Sequence, residues 1–82
     1  MTLAYLDSFA GLVPCRIAAV ADWNSRDSET RIQFTATRGA YKRGEWLTVP
    51  LCNVVPRDAI IRRSGILKIR RYQWPLAARS TL

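Results

Sequence analysis

Histidine is missing from the sequence altogether. That absence removes the usual general base near neutral pH, and with it the hydrolytic triads. Cysteine is nearly as scarce, with only Cys15 and Cys52. Two thiolates without a histidine are too few soft ligands for zinc. Both are expected to be reduced, structural and dispensable for binding, each a small buried hydrophobe. Acidic residues number six against thirteen basic ones, and none are spaced as a catalytic pair. Gly39 and Gly44 lead into Glu45-Trp46 rather than Lys-Ser or a helix, which excludes a phosphate-cradling glycine loop. No apolar run approaches the ~20 residues of a membrane span, so no membrane partner is expected. The first residues, Met1 to Asp7, lack a basic start, so no secretory leader is expected either. The resulting expectation is a cytoplasmic protein that is not an enzyme, with no catalytic residues, no metal and no cofactor.

What remains is a short, apolar and basic chain. Its 82 residues have room for one domain, 49% hydrophobic and 23% charged, a globular balance. The charge is uneven. Residues 1–29 hold four of the six acidic residues but only two of the thirteen basic ones. The rest of the chain therefore carries a strong positive field, suited to phosphate backbones, anionic lipid surfaces or acidic protein partners. Such charge also keeps a small protein soluble. Arginine outnumbers lysine eleven to two, and guanidinium both binds phosphate in a bidentate way and stacks on bases.

Along the chain the dominant period is two. Residues 1–12 are expected to form a short helix or an extended arm, since Leu3, Leu6, Phe9 and Ala10 fall at helical spacing before Gly11. Pro14 then opens a strand over Cys15 to Val20, where a strand's beginning loses no ladder hydrogen bond. Asp22 to Glu29 is a polar loop of turn formers. Its Trp23 either folds back to cover the barrel's mouth or stands out as a platform for a base or partner. Thr30 to Thr37 alternates most clearly, with Ile32, Phe34 and Ala36 on one side and Arg31, Gln33, Thr35 and Thr37 on the other.

The most informative stretch runs from Glu45 to Arg71. Trp46 to Leu51 alternates and breaks at Cys52-Asn53, and Val54 to Asp58 reads as a tight corner. Ala59 to Arg63 and Ile66 to Arg71 flank Ser64-Gly65, a hairpin turn. The expected core is Ile17, Val20, Ile32, Phe34, Leu47, Val49, Val55, Ile60, Leu67 and Ile69. Residues 72–82 form a tail in which Pro75 suits the start of a short helix.

Four or five short strands joined by tight turns predict a mainly all-β fold, a five-stranded barrel or bent sheet over residues 13–71. A strand, a glycine-containing loop, a tryptophan-bearing strand and then Val55-Pro56-Arg57-Asp58-Ala59-Ile60 resembles small barrels of the Src-homology-three-like and Tudor type. The resemblance covers about Val13 to Arg63 and implies a fold rather than a function. An acidic specificity loop and an aromatic ligand groove are missing, so proline-rich peptide recognition is not implied.

Two binding functions follow. One is a nucleic-acid-binding module gripping DNA or RNA phosphates. The other is a protein-interaction adaptor or inhibitor, such as an accessory protein of a phage, plasmid or compact genome, docked on an acidic surface. Its strand edges also offer pairing with a second copy of itself. The candidate nucleic-acid-binding residues fall in two groups. Arg38, Tyr41, Lys42 and Arg43 share the loop after the clearest strand, as a solvated loop with Tyr41 on the barrel rim or as cations for phosphate beside a ring for a base. Arg63, Lys68 and Arg70 share the outward parity of the last hairpin if Ile60, Leu67 and Ile69 turn inward, leaving Arg62 and Arg71 at its ends.

Overall fold

The computed structural model describes residues 2–9 and 11–74. It is mainly antiparallel strands: β1 (Thr2–Ser8), β2 (Gly11–Val20), β3 (Glu29–Phe34), β4 (Trp46–Pro50), β5 (Val54–Pro56), β6 (Ile60–Arg63) and β7 (Ile66–Ile69). Strands β1 to β5 form one sheet in the order β4-β3-β2-β1-β5, and β6 and β7 pair as a separate hairpin. Single 3-10 turns at Leu51–Asn53 and Arg57–Ala59 lead into β5 and β6. Among the described residues no helix is long and apolar enough to cross a membrane.

The amino terminus departs from expectation. No helix forms there; the segment is extended, as the arm alternative had it, but as a paired strand: β1 pairs with β2 along its full length and with β5 on its other side. Residues 3, 6, 9 and 10 fit a helical period, but Ala4 and Leu6 also alternate, and a full-length partner decides between the two. Ser8 faces Gly11 at the end of this first hairpin, where its hydroxyl donates to the Gly11 carbonyl at 2.8 Å.

Pro14 lies within β2 rather than at its start, although β2 is flanked on both sides. Its carbonyl accepts from the Thr35 amide at 3.0 Å. In a strand a residue's nitrogen and carbonyl face the same neighbour, so the missing donor falls just past the end of β3 and costs no ladder bond. Further along β2, the register slips between Ile17 and Ala19. That irregularity returns Val20 to the side of Thr30, so Ile17 and Val20 both turn inward although three residues apart.

Pro50 ends one edge strand and Val54 begins the other. Four residues reach at most ~14 Å, whereas four strand spacings in a flat sheet measure ~19 Å. The sheet is therefore curled, but it stays open, since β4 pairs with β3 and β5 with β1. No closed barrel forms among the described residues. Of the segment expected as a corner at Val54 to Asp58, Val54–Pro56 is instead strand β5, wholly buried, and the bend falls at Arg57 and Asp58, in the 3-10 turn Arg57–Ala59.

Ala4, Leu6, Val13, Cys15, Ile17, Ile32, Phe34 and Val54 form the core, with Leu51, Val55 and Ala59 also buried. Four of the ten expected core residues, Ile17, Ile32, Phe34 and Val55, are fully buried. Val20, Val49 and Ile60 are half-buried. Leu47, Leu67 and Ile69 are not core residues; the last two are 47% and 42% exposed. Leu47 sits opposite Ile32 on the edge strand, with little beyond it. The hairpin of β6 and β7 stands clear of the sheet, and the places reserved for its side chains are filled from β1, β5 and the 3-10 turns.

The chain beyond the hairpin returns to the sheet. The Tyr72 hydroxyl and the Trp74 indole N–H both donate to the Val54 carbonyl, at 3.4 and 3.2 Å. Trp74 meets Trp23 with ring centroids 5.2 Å apart, so Trp23 folds back on the core. Residues 75–82, where a short helix was expected from Pro75, lie outside the described residues.

Candidate nucleic-acid interface

The loop between β3 and β4 is tightly built. Arg38 and Tyr41 exchange both backbone hydrogen bonds, at 2.8 and 2.9 Å, around Gly39 and Ala40. Gly39 takes φ 56° while Ala40 stays out of the positive region, the pattern of a type II′ turn with glycine first. The Lys42 amide donates to Glu45 Oε1 and the Arg43 amide to Thr37 Oγ1. Arg38 donates back to the Thr37 carbonyl at 2.8 Å. Tyr41 packs on the core with its ring 5.1 Å from Phe34. Of the four residues chosen in this loop, Lys42 and Arg43 therefore present exposed cations, Arg38 is exposed but partly engaged, and Tyr41 serves packing.

In the β6–β7 hairpin, Ile60 faces Ile69, Ile61 faces Lys68, Arg62 faces Leu67 and Arg63 faces Ile66. Directly opposed residues share a face, and Arg70 continues the ladder through its amide to the Ala59 carbonyl at 2.8 Å. Arg63, Lys68 and Arg70 thus lie on one face, all exposed, as the parity argument expected. The opposite face, with Ile60, Arg62, Leu67 and Ile69, is largely open too instead of turning into a core. Ser64 at φ 50° and Gly65 at φ 78° make the two-residue turn that suits strand twist.

These two groups lie on different elements, one beside the sheet's β4 edge and one on the separate hairpin. The loop joins β3 to β4 at one edge, whereas the hairpin follows β5, which forms the other.

A third basic surface was not chosen from the sequence. It is the outer face of the sheet, where register sets Leu3, Arg16, Gln33 and Trp46 in one row across β1 to β4. Arg16 donates through Nε to Gln33 Oε1 at 2.7 Å and through Nη2 to the same oxygen. Gln33 Nε2 in turn donates to the Gly44 carbonyl at 3.0 Å. Arg31 lies 4.8 Å from the centre of the Trp46 ring, a cation–π contact. The alternation Arg31, Gln33, Thr35 was the available signal; the partners on β2 and β4 were not legible.

A cleft of about 360 Å³ is lined in part by Trp23, Arg26, Leu51, Cys52, Tyr72 and Trp74. Burial raises the Tyr72 hydroxyl above its ordinary pKa, helped by the Cys52 thiol and Asp7 and opposed by Arg26. Both cysteine thiols are free. Among the described residues no three histidine, cysteine or carboxylate side chains gather where an ion could be held. No family profile, no curated protein and no solved structure matches this chain.

Proposed function

We propose that this protein is a small basic nucleic-acid-binding module that grips phosphate backbones, working in the cytoplasm. The observation that carries the reading is the β6–β7 hairpin. From Ala59 to Trp74 the sequence holds five cations and no acidic residue. Arg63, Lys68 and Arg70 share one exposed face of it, with Arg62 on the other. Cations held clear of the sheet with no carboxylate among them gain most by releasing the counterions of a polyanion. Lys42 and Arg43 extend the positive field from the β3–β4 loop. The likeness to Src-homology-three-like and Tudor-type barrels belongs to the same proposal. It is supported by consecutive antiparallel strands and by the turn at Arg57–Ala59 before β6.

A second reading has its own observation. Ile66, Leu67 and Ile69 are well exposed on the same hairpin, which would suit an adaptor or inhibitor of the phage or plasmid accessory kind on an acidic partner. Its edge strand β4 would also serve pairing with a second copy.

Fluorescence anisotropy with labelled oligonucleotides at about 50 and 200 mM salt separates the two. The parent should lose affinity steeply with salt. Arg63→Glu with Arg70→Glu should bind much more weakly and show a flatter slope, while its circular dichroism spectrum is unchanged. A parent without salt-dependent binding, or a double variant that binds as the parent does, gives way to the adaptor.

A further inference from the structure

The outer face of the sheet has features that phosphate attraction alone does not require. Arg16 is half-buried and held by two hydrogen bonds to Gln33, which is itself held by the Gly44 carbonyl. A guanidinium fixed in this way has lost its rotamer freedom before any ligand arrives, and its remaining N–H groups have no acceptor among the described residues. It lines a hollow of about 280 Å³ with Gln33, Thr35 and Arg43. Arg43 approaches from the loop, and neither arginine makes an ion pair among the described residues. Thr35 also lines a smaller hollow of about 140 Å³ with Tyr5, Pro14 and Arg57. The two hollows thus share Thr35, with Arg16 and Arg43 lining the larger and Arg57 the smaller.

Beside the larger hollow stands Trp46, opposite Gln33 in the register. Arg31 steadies its ring by the cation–π contact and leaves the residue 45% exposed. Two exposed carboxylates share the parity of this face, Glu29 two residues before Arg31 on β3 and Asp7 two residues after Tyr5 on β1. Glu45 accepts the Lys42 amide, Asp58 is next to Arg57, and none of the four lines the larger hollow. An exposed ring beside one pre-set guanidinium, with a second arginine across the hollow, matches one nucleotide: a base for the ring and a phosphate for the cations.

We infer that this face is a binding track for single-stranded nucleic acid, with a base stacked on Trp46 and a phosphate held between Arg16 and Arg43. The inference rests on the nucleic-acid reading above and deepens it. Single strands are specified because a ring can stack only on a base that has left its duplex partners. The hairpin supplies general attraction to phosphate, and the sheet face distinguishes unpaired from paired strands.

The test uses three probes of equal length: an oligo-dT, an oligo-rU and a mixed-sequence DNA duplex, each titrated at one fixed low salt. The parent should prefer both single strands to the duplex. Trp46→Leu should weaken single-strand binding roughly 5- to 150-fold, the range for one stacked base, and leave duplex binding within about twofold. Trp46→Phe should restore most of the loss, because a stacking face is retained. Arg16→Gln with Arg43→Gln should reduce single-strand binding and its salt slope. If the parent binds duplex as well as single strands, or Trp46→Leu lowers both alike, the track is refuted while the phosphate-binding reading stands. If the parent binds none of the probes, both fail. Tighter binding to oligo-rU than to oligo-dT would assign the track to RNA, and the reverse to DNA.

Discussion

Cys15 shows how one side chain records its surroundings. It lies on β2 opposite Ala4 on one side and Phe34 on the other, and is almost fully buried. Burial alone pushes its thiol up to about 11. An unfolded chain would ionise this thiol near 9, so above that pH the unfolded state binds fewer protons than the folded one. Stability should therefore fall as pH rises from about 9 to 11, by up to ~2–3 kcal/mol. Urea unfolding at pH 8 and pH 10.5 checks this. Cys15→Ala should be less stable at pH 8 but should lose less of its stability on going to pH 10.5. At this scale the sequence was informative: a lone cysteine in an apolar alternation is read as a small hydrophobe, and Cys15 is one. Tyr41 was less legible, because a ring amid cations looks the same in sequence whether it stacks on a ligand or on Phe34.

Among the elements, the strands with their own alternation were legible and the contexts that choose their partners were not. β3 could be read from the alternation of Ile32 and Phe34, although it runs over Glu29–Phe34 and does not continue through Ala36 to Thr37. Ile17 and Val20 were both expected inside although strict alternation forbids the pair, and the bulge in β2 that brings both inward was not read from the sequence. β1 was missed because a seven-residue stretch satisfies two periods at once, and only its pairing with β2 and β5 decides. The β6–β7 hairpin was placed correctly in turn and register, but its docking was not, because hydrophobicity says what a face would bury and not where room exists. Standing clear of the sheet, this hairpin should open on its own. Hydrogen exchange should show the amides of Ile60–Arg63 and Ile66–Ile69 exchanging much faster than those of β2 and β3. Gly65→Val, at φ 78°, should speed the hairpin further with little effect on the sheet. Equal protection in both would mean that the hairpin is docked.

Across the whole molecule, the basic excess after residue 29 was plain from composition, but its division into a loop, a hairpin and a sheet face depends on which strands are neighbours. One such neighbour relation carries a consequence in time. The sheet grows by successive hairpins from β1 to β4, each closing a short stretch of chain, whereas β5 must return to β1, setting Val54 opposite Leu6. Closing that long loop costs entropy before its contacts give anything back, so β5 should join after the rate-limiting step. Val55→Ala should then accelerate unfolding while leaving the folding rate nearly unchanged, and Ile32→Val should slow folding. Stopped-flow chevrons decide it. A folding arm slowed by Val55→Ala in proportion to the lost stability would place the return of β5 within the nucleus. If β5 does arrive last, there is a late intermediate in which β1 to β4 are formed and one edge of β1 is bare. At high concentration, that edge would be the place where two chains mispair.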